Sequence, residues 1–151
     1  MKKYILAFLL LVSVSQLFAE DFNPKSFHAD INQISPMTYP PEFVDGFYLE
    51  LENDSVSLYL PYMGTLDVAP MGNGSDLNFE KQPISNYKTE KGKKDATIVN
   101  FHVDRGFIEL RFRITAFDNN NISINLIRSD GQPCGYYGEW KAIEKKDKKK
   151  K

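Results

Sequence analysis

From Phe27 to Trp140 the apolar residues of this chain recur at every second position, segment after segment, and no stretch carries a helical period over three turns. A period of two is the mark of strands with one buried face, so the chain has to fold as sheet. The alternation is plainest over two consecutive stretches. Thr97, Val99, Phe101 and Val103 alternate with Ile98, Asn100, His102 and Asp104, and Ile108, Leu110, Phe112, Ile114 and Ala116 alternate with Glu109, Arg111, Arg113 and Thr115. Two such strands make a hairpin. A two-residue turn at Arg105-Gly106 predicts Val103 opposite Ile108, Phe101 opposite Leu110 and Val99 opposite Phe112, with His102 facing Glu109 outside; a slip of one residue would bury Arg111 and Arg113.

The same parity organises the rest. Phe27, Ala29 and Ile31 form the inner face of a first strand, and Pro36, Pro40 and Pro41 predict an irregular connection over 34–44 whose Tyr39 and Phe43 pack down. Phe47, Leu49 and Leu51 resume the pattern, Asn53-Asp54 turns the chain, and Val56, Leu58 and Leu60 follow until Pro61 ends the strand. Leu77 to Phe79 and Asn86 to Glu90 are short strands separated at Pro83. Gly92 is the residue expected to take positive φ in the polar turn at 91–95. Parity demands a three-residue loop before Ile122, placed at Asn119 to Asn121, which sets Ala116 against Ile124 and Ile114 against Leu126. Asp130-Gly131 marks the last turn, and Tyr136, Gly138 and Trp140 face inward on the final strand. Seven to nine short strands joined mostly by hairpin turns imply an all-β, mainly antiparallel single domain, either a sandwich or an up-and-down barrel.

Residues 1–19 read as a secretory leader: Lys2 and Lys3, an apolar run from Tyr4 to Val14, and Leu17-Phe18-Ala19 before Glu20. The apolar run is shorter than the ~20 residues that span a bilayer, and no later stretch is a transmembrane candidate. No cysteine follows the run, so the expected product is periplasmic or secreted and not a lipoprotein. The single thiol, Cys134, cannot form an internal disulfide and is expected as a small buried residue. Of the 19 Lys and Arg, two lie in the leader and six in residues 144–151, which leaves eleven in residues 20–143 against eighteen Asp and Glu. An acidic body argues against nucleic acid, whose phosphates need a basic footprint. The Lys-rich end at 144–151 has no apolar side chain to pack, which predicts a disordered tail able to touch anionic surfaces.

Chemistry-bearing motifs are sparse. His28 and His102 are the only histidines, and His102 with Glu109 and Asp104 is a loose set more simply read as an exposed cross-strand pair, so no metal and no cofactor are expected. No G-x-S-x-G string is present, and Cys134 sits in no nucleophile motif. What stands out is the segment after Pro61, in which Tyr62, Met63, Leu66, Val68 and Met71 lie among Gly64, Pro70, Gly72 and Gly74. An apolar loop must cover the core or be covered by a partner. The functional reading makes Tyr59, Tyr62, Met63, Leu66 and Met71 a ligand-binding surface; the plain reading makes the loop a lid.

Tyr48-Leu49, Asp54-Ser55-Val56, the string Tyr59-Leu60-Pro61-Tyr62-Met63-Gly64, Ala69-Pro70, Phe79, Ile84 with Tyr87, and Tyr136-Tyr137-Gly138-Glu139 together resemble domain of unknown function 4251, a family of exported proteins from Bacteroidota. The likeness spans roughly Phe27 to Trp140 and implies export, but no activity, cofactor or catalytic residue. Thr65, Asp67 and Met71 stand where that family often carries Arg and Tyr, which weakens any basic or aromatic ligand surface in the loop. The expected function is a non-enzymatic extracytoplasmic module that binds a small ligand, a glycan or an envelope protein. The alternatives are a small hydrolase using surface carboxylates and His102, and an assembly or stability factor for envelope proteins. Because the apolar run ends at Leu17-Phe18-Ala19, the exported form is expected to begin at or near Glu20; intact mass of periplasmic material checks this, and retention of Met1 to Ala19 would contradict it.

Overall fold

The computed structural model describes residues 21–67 and 77–143; the expected leader, the expected tail and Met71 lie outside the described residues. Among these, nine strands are hydrogen-bonded: β1 (Ser26–Pro36), β2 (Glu42–Glu52), β3 (Ser55–Leu60), β4 (Leu77–Pro83), β5 (Ser85–Lys91), β6 (Thr97–Asp104), β7 (Glu109–Ala116), β8 (Asn121–Arg128) and β9 (Cys134–Lys141). They form one sheet in the order β4-β3-β2-β1-β9-β8-β7-β6-β5, with every pair antiparallel. The first and last strands are thus neighbours, and the two outermost strands of the sheet are successive in sequence. Alternating directions around the sheet make β4 and β5 run the same way, so they are two halves of one bent path joined at Ile84. The first half pairs with β3 and the second with β6. The result is a nearly closed up-and-down barrel, which decides between the two architectures left open by the sequence.

The bend is built from local geometry. Lys81 and Asn86 both take positive φ, at 48° and 53°, and each lies within a register shift of its ladder. Such bulges turn a strand sharply. Pro83 between them lacks an N–H, and the Ile84 N–H donates to Asp54 O at 3.0 Å, which ties the corner to the turn before β3.

Inside, Phe27, Ile34, Leu49, Leu51, Leu58, Val99, Phe101, Ile114 and Ile124 are fully buried in one core. The lower end, where the β2–β3, β5–β6 and β7–β8 turns gather, is stoppered by Phe22, whose ring lies 4.9 Å from Phe27 and 5.0 Å from Trp140. Trp140 also donates its indole N–H to Phe117 O at 2.8 Å.

Several turns differ from the sequence-based expectation, and the β6–β7 and β7–β8 pairings each shift by two residues. Phe101 pairs with Phe112, Val103 with Leu110 and His102 with Arg111, so the β6–β7 connection is the four-residue loop Arg105–Ile108 rather than the two-residue Arg105-Gly106. A shift of two keeps every side chain on its face, which is why the predicted core stands although its partners moved. The β7–β8 loop has the predicted three residues but is Asp118–Asn120, with Asn120 at φ 66° and Ala116 opposite Ile122. Positive φ in the β5–β6 turn falls on Lys94 and Asp95, not Gly92. The last turn centres on Ser129-Asp130, one residue before Asp130-Gly131. The irregular span at 34–44 is also shorter than predicted, because a bulge between Ile31 and Gln33 lets β1 run on through a buried Ile34 to Pro36. Tyr39 and Phe43 do not pack down; both are exposed.

Phe101 and Phe112 stack at 5.0 Å in the core, whereas His102 lies on the outer wall. Phe112→Ala is expected to cost about 3 to 5 kcal/mol and His102→Ala under about 1 kcal/mol in chemical denaturation; comparable losses would mean that the two faces are exchanged.

Candidate functional site

At the upper end of the barrel the chain leaves β3 at Pro61 and turns across the mouth, and the first residue it delivers is a plug. Tyr62 is buried, its hydroxyl donates to Gln132 O at 2.7 Å, and the Arg128 guanidinium sits 4.6 Å above its ring. The neighbouring Tyr136 hydroxyl donates to Pro61 O at 2.8 Å. Side chains at Gly64 or Gly131 would collide with Tyr62, since a Cβ there would lie 2.4 or 2.5 Å from its hydroxyl oxygen. The loop is then stitched to the β8–β9 turn by Asp67 N–H to Asp130 O at 2.8 Å, Gln132 N–H to Thr65 O at 3.1 Å and a bridge between Leu66 and Gly131.

Under this lid lies a buried cation. Arg128 occupies an inward position at the end of β8, and it is matched by Asp130, which accepts from Nε at 2.8 Å and from a second guanidinium nitrogen at 2.9 Å. The Arg128 hydrogen bonds hold the Asp130 carboxyl below the usual carboxylate range. Burial pushes the Tyr62 and Tyr136 hydroxyls and the Cys134 thiol upward, so Cys134 stays protonated and is a poor nucleophile.

The five residues predicted to form one surface therefore part company. Tyr62 faces into the molecule; Met63 and Leu66 are half-buried against the core; Tyr59 lies on the outer wall with its ring 5.0 Å from Phe47; Met71 is outside the described residues. On the outer face of β6, His102 Nδ1 is 3.4 Å from Glu109 and 3.3 Å from Asn86. His28 lies 2.8 Å from Glu50 and 3.1 Å from Asp30, and Lys141 reaches Asp30 at 2.7 Å. Lys141 hydrogen bonding lowers the Asp30 carboxyl, the reverse of what a general acid requires.

The upper end also carries exposed apolar side chains that the sequence reading missed. Met37 is 72% exposed, Tyr39 56%, Phe43 88%, and Phe107 is wholly exposed. Met37 and Tyr39 lie in the β1–β2 connection, Phe107 in the β6–β7 connection and Phe43 at the start of β2, all toward the upper end. Thr38 donates to the Gln132 side chain at 2.9 Å, and Arg105 lies 4.6 Å over the Phe79 ring, which anchors both connections to the barrel. Phe107 could have been found from the four-residue turn, whose tip it occupies beside Gly106 at φ 78°.

The wall and lid define a class: a small antiparallel barrel whose core is filled by side chains and whose mouth is plugged by a loop residue. Residues 19–140 match the family described as Domain of unknown function (DUF4251), and the chain belongs to that family. Its fold is similar to that of a DUF4251 family protein from Bacteroides eggerthii solved by crystallography, with a TM-score of 0.60 and 15% identity over 79% of this chain and 80% of that one. No curated protein matches the chain.

Asp130→Asn would leave Arg128 buried without a counter-charge, with an expected loss of about 3 to 5 kcal/mol near neutral pH. Because the folded-state pKa of Asp130 is depressed, its stabilisation is complete above the unfolded value of about 4 and is lost as pH falls through the folded value. The stability gap between wild type and Asp130→Asn should therefore be constant above about pH 5 and narrow below about pH 4. A gap independent of pH down to acid unfolding would refute the pairing.

Proposed function

We propose that this chain is an exported, non-enzymatic binding module that takes a protein partner of the cell envelope on the upper end of its barrel. The observation that carries the reading is the exposure of Met37, Tyr39, Phe43 and Phe107, four large apolar side chains on connections that rim the upper end and are anchored to a rigid wall. Such side chains at one end of a monomer are costly to leave in water and mark interaction surfaces. Aromatic residues and Met are the types enriched at the centre of protein interfaces. Connections on a rigid β scaffold are also where binding residues concentrate. The lid below supports this role by holding the mouth fixed through Tyr62 and the Arg128–Asp130 pair. The apolar leader at 1–19 supports export, and with it an envelope partner; an assembly or stability factor would be one form of the same activity.

Replacing Met37, Phe43 and Phe107 together by Ser is expected to leave the melting temperature within a few degrees, because the three side chains bury little. The same variant should lose capture of the partner in cross-linking from envelope extract. Unchanged capture, or a variant that unfolds many degrees lower, would remove the upper end as the binding surface.

A further inference from the structure

A second surface lies away from the mouth, on the outer wall where β1, β9 and β8 run side by side. Gln33, Tyr137 and Ser123 form one row across these strands, since Gln33 pairs with Tyr137 and Tyr137 with Ser123. They line a groove of about 590 Å³ that continues past Asn32 and Asn121 to the β7–β8 turn, within the ~300 to 1,000 Å³ usual for small-molecule sites. The groove exists because of the bulge in β1. The extra residue there turns Asn32 and Gln33 both outward, and β1 presses so close to β9 that a Cβ on Gly138 would lie 1.9 Å from Asp30 O.

We propose that this groove binds an oligosaccharide, with Tyr137 as the platform for a sugar ring. Other parts of the wall carry paired charges, as in His28 with Glu50, Asp30 with Lys141 and Arg113 with Glu90. Here they are neutral amides and a hydroxyl. The side chains of Asn32, Gln33, Asn121 and Ser123 make no hydrogen bond to another described residue. Each amide offers donors and an acceptor from one rigid group, which suits a sugar hydroxyl that both donates and accepts. The apolar C–H face of a pyranose needs a flat apolar partner, and Tyr137 is 43% exposed with no ring stacked on it among the described residues. Tyr and Asn together give the rigid, amphipathic and adaptable contacts that polar recognition sites employ.

Other ligand classes fit less well. The backbones of β1, β9 and β8 are paired on both sides, so a peptide cannot add as a strand. Among the described residues lining the groove only Lys94 is charged, too little for nucleic acid or an anionic membrane.

The test is an array of hexose, N-acetylhexosamine and uronic-acid oligosaccharides of two to six units, followed by titration calorimetry with the best binder. Wild type should bind at least one class. Tyr137→Ala should weaken that binding at least tenfold with an unchanged melting temperature, Tyr137→Trp should retain it, and Gln33→Ala should weaken it. A Met37 and Phe107 double Ser variant, which leaves Phe43 beside Gln33 intact, should bind the sugar as wild type does, which separates this site from the upper end. Absence of binding across the array, or equal binding by Tyr137→Ala, would overturn the proposal.

Discussion

The pairing of β1 with β9 is the contact on which the rest of the molecule depends. It joins the first and last strands, so its closure spans more of the described chain than any other ladder, and it turns what would be an open meander into a wall without a free edge on either side of those strands. Loop-closure entropy rises only slowly with length, which makes so long a closure affordable once the inner faces of Ala29, Ile31, Tyr136 and Trp140 have apolar surface to bury. The remaining seam falls at β4 and β5, each paired on one side only, where one bent path faces both β3 and β6.

Closure also fixes where function can reside. An eight-path barrel has an interior only just wide enough for side chains or one small ligand. Here Phe27, Phe101, Leu58 and Tyr136 occupy it, Phe22 and Trp140 stop the lower end, and Tyr62 stops the upper. Recognition is thereby moved to the outside, to the connections at the mouth and to the groove that the β1 bulge opens in the wall.

Most of the fold was legible because period-two alternation assigns faces without needing partners. The β6–β7 and β7–β8 registers were each displaced by two residues, yet Val99, Phe101, Leu110, Phe112, Ile114 and Ile124 are all buried as the alternation required. Odd displacements carry a large penalty and are readable; even ones are decided by turn geometry, such as Asn120 in the left-handed region, which alternation does not report. The bulge between Ile31 and Gln33 was invisible for a related reason. It breaks the alternation at one residue, and beside Pro36 that break looks like the end of a strand.

The candidate site was less legible because burial of a loop side chain depends on residues far away in sequence. Tyr62 reads as a free aromatic until Gly64, Arg128, Gly131 and Gln132 are brought around it, and of these only Gly64 is near in the chain. Phe43 and Tyr39 read as core because large aromatics seldom stay in water without a reason. That same rule, applied after the fold is known, turns their exposure into the evidence for a partner: the core is already filled, the lid is already held by Tyr62, and nothing in the described part of this chain is left to cover them.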